Sequence, residues 1–340
     1  MSFANMEVHL VKIKDIAKKS GVSVATVSRV LNQDKSFNVS DDTRLKVLAV
    51  AEKLNYIPRS KRTEAKQNTN KHSIKIGLVY WYTSMQETID PYYLSIRLII
   101  EDYCISNQLE LQHISGLDYE TNVDYTHLDG IIALGKYSHE EITKMYTLHK
   151  NLVLVDCYTK HKFIDVVMVN LREATEDIVD YFTSLGITDI GFIGGVEKTI
   201  DGHEIEDIRL RSFRKYSTSD TPAIYVGEFN ADSGYELMKQ LVDADQLKKA
   251  YIIASDTMAI GALRALREAK IGVPKDVSLI SYNNIALAQY TLPALTTVDL
   301  NIKYLGETAV DLVIERLITS RTIGKKVFIS TEMIKRESSL

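Results

Sequence analysis

The chain has 340 residues, 45% of them apolar and 25% charged, with 16 Gly, 5 Pro and 2 Cys. That composition excludes collagenous, low-complexity and disulfide-stapled chains and suits two or three globular domains. The net charge of −4 conceals an asymmetry: residues 1–72 carry 14 Lys/Arg against 7 Asp/Glu, a balance of +7, whereas residues 73–340 carry 27 against 38, a balance of −11. A basic segment ahead of an acidic body points to nucleic acid at one end of the chain only. No run approaches the roughly 18 apolar residues of a membrane span, and Met1 to Val8 lacks the basic flank and apolar core of a signal peptide. A cytoplasmic protein without membrane contact is expected, with Cys104 and Cys157 as buried thiols.

The basic segment has helical rhythm. Ile13 to Ser20 reads as a short helix with Ile13, Ile16 and Ala17 on its apolar side, and Gly21 breaks it. Ser23 is placed to cap a second helix, Val24 to Asn32, in which Val27, Val30 and Leu31 share one side while Val24, Ala25, Ser28 and Arg29 share the other. A third helix begins at Ser40, favoured by Asp41 and Asp42 at its positive end. Its Leu45, Leu48, Ala51 and Leu54 recur every third residue and are expected to close a three-helix core. From Pro58 to Ser73 no large apolar side chain appears, so this stretch is predicted to be a linker.

Beyond it, apolar strands alternate with amphipathic helices. Strands are predicted at 74–80, 109–114, 130–134, 151–156, 189–193, 223–226, 250–254 and 277–281. Helices are predicted at 92–108, 172–185, about 204–218, 232–243 and 257–270. Such alternation means parallel sheets covered by helices on both faces. Two runs of it imply two lobes, with ligands at the carboxyl ends of the strands.

The helical pair over residues 13–32 reads as a helix-turn-helix. A helix entering the major groove needs a small or polar outward face, and Val24, Ala25, Ser28 and Arg29 provide one. Arg29 can fork onto a guanine or hold a phosphate; Val24 and Ala25 can meet a thymine methyl. The run from Asp15 to Asn32, with Gly21-Val22-Ser23 and Thr26-Val27-Ser28-Arg29-Val30-Leu31-Asn32, resembles the signature of the lactose/galactose repressor family. Ala254 to Ala262, Ile280 to Asn284 and Leu292 to Val298 are similar to that family's effector-domain motifs. Within the family, Asp90 to Arg97 and Ile190 to Gly195 look closest to the evolved β-galactosidase repressor and the galactose-operon regulators of lactic-acid bacteria.

The resemblance implies a helix-turn-helix head at 11–57, a hinge at 58–73, and a periplasmic-binding-protein-like α/β core of two doubly wound lobes. The first lobe would comprise 74–170 plus 300–327 and the second 171–299 plus 328–340. It further implies a homodimer on palindromic operator DNA and a small sugar effector, galactose or a galactoside, between the lobes. Ile13, Lys14, Ser23, Thr26 and Asn32 join the outward face as candidate DNA contacts, and Arg59, Lys61 and Arg62 supply phosphate or narrow-groove contacts from the linker.

A pyranose needs carboxylates, amides and Arg for its hydroxyls and an aromatic ring for its apolar face. Asp156 and Asp256 end apolar strands, and Asp90, Tyr92 and Tyr93 follow the first strand. Arg209 matches the family's effector-binding arginine, Asn283 stands where many members carry Asp, and Ser255 stands where Asn is found.

Some features depart from the family or exclude other chemistry. The linker has Tyr56-Ile57-Pro58 but no leucine after it, so a leucine wedge in the minor groove is not expected. Residues 331–340 carry no leucine heptads, so a tetramerising tail is not expected. His139-Glu140-Glu141-Ile142-Thr143 lacks a zincin's second His, and no phosphate-binding glycine loop exists. Neither an enzyme nor a cofactor is expected. A regulator with a phosphoprotein corepressor and a plain sugar-binding protein stand as alternatives.

Overall fold

A computed structural model of the chain describes residues 13–31, 39–53, 73–116, 118–120, 123–217, 219 and 221–340. The chain divides into two compact units, 1–73 and 74–340.

The first unit contains helices Ile13–Ser20 (α1), Val24–Leu31 (α2) and Asp41–Lys53 (α3). Gly21, at φ +70°, turns the chain between the first two. Ser23 Oγ accepts from the Thr26 amide at 3.1 Å and Ser40 Oγ from the Thr43 amide at 3.4 Å, so both expected caps are present. Ile16, Ala17, Val27, Val30, Val47 and Ala51 form the core. The expected leucine stripe does not: Leu45 is 65% and Leu48 44% exposed, and Leu54 lies outside the described residues. Steps of three residues advance about 300° around a helix and drift off any one face. Val47, Val50 and Ala51 stay within it, and they face the core.

The second unit begins with Lys75–Tyr80 (β1), Ser84–Ile89 (α4), Tyr92–Ser106 (α5), Glu110–Ser115 (β2) and Gly130–Leu134 (β3). His139–Leu148 (α6), Leu152–Val155 (β4) and Asp165–Val169 (β5) complete the first pass. A second pass contains Leu171–Ser184 (α7), Ile190–Gly195 (β6), Glu197–Lys198 (β7), Glu204–Ile205 (β8), Ile208–Tyr216 (α8), Ala223–Gly227 (β9) and Ala231–Asp243 (α9). It ends with Ala250–Ile253 (β10), Asp256–Glu268 (α10), Ser278–Tyr282 (β11) and Thr296–Asp299 (β12). Ile302–Thr319 (α11), Lys326–Ile329 (β13) and Glu332–Ile334 (β14) close the chain.

Two six-stranded sheets result. The first has the order β13-β5-β4-β3-β1-β2 and is wholly parallel. The second has the order β14-β12-β11-β10-β6-β9, parallel except for β14. The sheets are nearly continuous apolar runs, as burial on both faces demands. This is the expected pair of doubly wound lobes. All of β13 pairs with β5 in the first sheet, so the expected boundary between residues 327 and 328 moves beyond Ile329. At the other end of the unit Ser338 is fully buried, its hydroxyl donating to the Leu279 carbonyl at 2.8 Å.

One expected helix is shorter than its pattern suggested. The helix predicted over 204–218 starts only at Ile208, where Asp207 caps it by accepting from the Arg209 amide at 2.8 Å. Residues 197–205 form the β7–β8 hairpin instead, turning at Gly202 with φ +87°.

Candidate functional site

In the first unit, α2 buries Val27 and Val30 and leaves Val24 45% exposed, with Arg29 exposed and Ser28 half-buried. Lys14 and Ser23 are also exposed, while the Thr26 hydroxyl is shared with that of Ser23 at 2.9 Å. Ile13 and Ala25 lie on helical backbone. Asn32, Arg59, Lys61 and Arg62 lie outside the described residues. The outward face of α2 therefore has the small and basic character that a major-groove helix needs.

In the second unit, a cavity of about 850 Å³ opens where the carboxyl ends of both sheets meet. Asp90, Tyr92, Tyr93, Asp156, Arg209, Ser255 and Asn283 all line it. Each comes from the end of a strand or the start of the next helix. Asp156 follows β4 at φ +59° and Asn283 follows β11 at φ +105°, both in left-handed backbone that Asp and Asn tolerate better than most residues. Ser255 caps α10, accepting from the Met258 amide at 3.2 Å.

Asp256 is the exception. It is fully buried and lies away from the cavity; its carboxylate accepts from Ser281 Oγ at 2.5 Å, Thr297 Oγ1 at 2.6 Å and the Ile285 amide at 2.8 Å. It ties β11, β12 and the turn at 285 to the start of α10 and leaves no oxygen for a ligand.

Charged groups from both lobes meet in the cavity wall. Tyr93 donates to Asp156 Oδ2 at 2.7 Å, and Lys136 Nζ lies 3.0 Å from the same oxygen. Lys136 also reaches across to Glu197 of the second lobe, at 3.7 Å. Glu197 in turn stands 4.0 Å from Arg209, which is held by Asp207 at 2.7 Å. Arg209 spends one N–H on the Ala254 carbonyl at 2.5 Å and packs beside the Phe229 ring at 5.1 Å. Of its five donors, one on each terminal nitrogen has no partner among the described residues.

Burial would lower the Lys136 ammonium, but Asp156 and Glu197 outweigh it and hold the group charged, above the usual lysine range. Burial raises the Asp90 carboxyl against its bond from the Tyr92 amide, and raises Glu197 against the pull of Lys136. Asp156 Oδ1 is buried without a donor among the described residues.

Lys136 and Glu197 escaped the sequence reading. Both stand just beyond a strand, after β3 and β6 respectively, the same position that marked Asp156. Gly135 places Lys136: it has φ +125°, and a Cβ there would lie 2.2 Å from Trp81 Cβ. Tyr82, which also lines the cavity, follows β1.

The comparisons with known proteins agree with this architecture. Residues 12–59 match the description "Bacterial regulatory proteins, lacI family", and residues 179–339 match a periplasmic binding protein-like domain. The HTH-type transcriptional regulator GalR of Lacticaseibacillus casei is 41% identical over 337 residues, covering 96% of this chain and 99% of that protein. The HTH-type transcriptional repressor MelR of Bacillus subtilis is 35% identical over 336 residues, covering 97% of each. Among solved structures, the lac repressor dimer bound to operator and an anti-inducer superposes with a TM-score of 0.67 at 24% identity, covering 97% of this chain and 99% of that one. A fold, a helix-turn-helix match and full-length relatives thus converge: the chain belongs to the lacI family of bacterial transcriptional regulators.

Proposed function

We propose that the chain is a dimeric repressor of sugar-utilisation genes, released from a palindromic operator when galactose or a galactoside binds between its lobes. On this reading Lys14, Ser23, Val24, Ala25, Thr26, Ser28 and Arg29 meet the operator, with Ile13, Asn32, Arg59, Lys61 and Arg62 flanking them. Asp90, Tyr92, Tyr93, Asp156, Arg209, Ser255 and Asn283 form the effector site, extended by Lys136 and Glu197. The site binds and releases its ligand without a catalytic step.

One observation carries the effector half: Asp156 lines the cavity with a buried, unsatisfied carboxylate oxygen. A buried acceptor without a donor is costly, and a sugar hydroxyl supplies the missing hydrogen bond. The free donors of Arg209 face a neighbouring pair of hydroxyls in the same way. The name of the GalR relative supports galactose as the sugar. Sugar bound to both walls favours one interlobe angle, and it weakens operator binding only as far as it prefers that angle.

The test measures operator binding by the full chain with and without galactosides. Arg29→Ala should weaken operator binding by about 1–3 kcal/mol per head. Asp156→Ala should keep operator binding and lose the response to sugar. Sugar-independent operator binding by the unmodified protein would refute the effector assignment.

A further inference from the structure

The cavity extends well beyond the cluster of charges just described. Its first-lobe wall is built by consecutive neighbours in the sheet: Tyr82 follows β1, Lys136 follows β3, Asp156 and Tyr158 follow β4, and Met168 and Phe328 lie near the ends of β5 and β13. Four strand spacings of about 4.8 Å make this wall about 19 Å long. A pyranose with its hydroxyls spans about 7 Å, as bond lengths near 1.5 Å require. One ring therefore fills less than half of the wall.

The two ends of the wall differ in chemistry. From β1 to β4 the lining is buried and charged, with Asp90 and Asp156 nearly inaccessible. At the β4 to β13 end, Tyr158 is 54% and Phe328 51% exposed although both line the cavity, and Met168 is the register partner of Phe328. Large aromatic side chains facing an open cavity offer the flat apolar surface on which a sugar's C–H face settles. The buried end also disfavours an anion: it sets Asp90, Asp156, Glu197 and Asp207 against Lys136 and Arg209, while the other basic side chains of the lining, Arg172, Arg211 and His203, are exposed.

We propose that Tyr158, Met168 and Phe328 form a second sugar subsite, so that the effector is an uncharged saccharide of two or more units. One ring occupies the charged end and the next lies against the aromatic rim. This proposal rests on the sugar-effector reading above and adds the length and charge of the ligand.

The experiment is calorimetric titration of the full chain with galactose, lactose, melibiose, β-1,4-galactobiose and galactose 1-phosphate, repeated on Tyr158→Ala, Phe328→Ala and the double variant. At least one disaccharide should bind about tenfold more tightly than galactose, the return expected of an aromatic contact or two. The double variant should lose that gain and bind galactose within about twofold of the unmodified protein. Three results would overturn the proposal: galactose binding as tightly as every disaccharide, equal losses for galactose and disaccharide in the double variant, or tightest binding of galactose 1-phosphate. The first two leave the sugar reading intact, whereas binding of no sugar at all removes both.

Discussion

At Asp256 three donors converge on one fully buried carboxylate: two hydroxyls from β11 and β12 share Oδ1, and the Ile285 amide meets Oδ2. Asp256→Asn would set an amide N–H₂ against one of these donors, at an expected cost of about 1–3 kcal/mol. Burial raises the Asp256 carboxyl to about 6, so the folded state holds its proton more tightly than the unfolded chain does. The stabilisation from that proton is therefore full below about pH 4 and is lost as pH rises to about 6. Denaturation of both proteins across this range should show the advantage over Asp256→Asn narrowing with rising pH and then levelling. A constant gap would mean that Asp256 does not titrate there. Asp156 and Asp256 looked alike in the sequence because each ends an apolar strand. What separates them is whether neighbouring strands aim hydroxyls at the carboxylate, and strand order is not written in local periodicity. Lys136 and Glu197 were missed for the same reason, since their pairing joins segments about sixty residues apart in different lobes.

Among the elements, the β7–β8 hairpin is the one that stands where the start of a helix was expected. Its strands are two residues each, too short for alternation to show; most central strands were legible from their apolar runs, whereas β5, β12, β13 and β14 and helices α4, α6 and α11 were not read from the sequence. The hairpin belongs to the second lobe by sequence, yet Ile200 packs against the core of the first. A Cβ added to Gly116 would come within 2.7 Å of Ile200 Cδ1, so the absence of a side chain at Gly116 makes the notch that receives it. Thr199, His203 and Ile205 of the same segment line the cavity. Parting of the two lobes to release a ligand would separate this contact. Ile200→Ala should accelerate effector dissociation several-fold, since changes within one interface appear chiefly in off-rates. Stopped-flow release of a bound galactoside measures it, and an unchanged rate would show that the hairpin does not restrain the cleft.

For the whole molecule, the separation of charge decides how the protein meets DNA. The head and linker carry +7 and the remainder −11, so attraction to phosphate resides in the first 72 residues and the larger unit opposes it. Each Lys or Arg that neutralises a phosphate releases counterions, and the observed affinity falls with salt at a log–log slope of about −0.9 per contact. A dimer that places about three such residues of each head on the backbone has six contacts, hence a slope near −5 and a loss of about 10³-fold between 50 and 200 mM salt. Base contacts from α2 add specificity without adding to that slope. Arg29→Ala should accordingly divide two roles. If Arg29 forks onto a base, the slope stays and discrimination at that position relaxes; if it holds a phosphate, the slope falls by about 1 per head while sequence preference is retained. Operator titrations at four salt concentrations, with matched and singly substituted half-sites, distinguish these outcomes. A salt-independent affinity would rule out the basic head as the binding element.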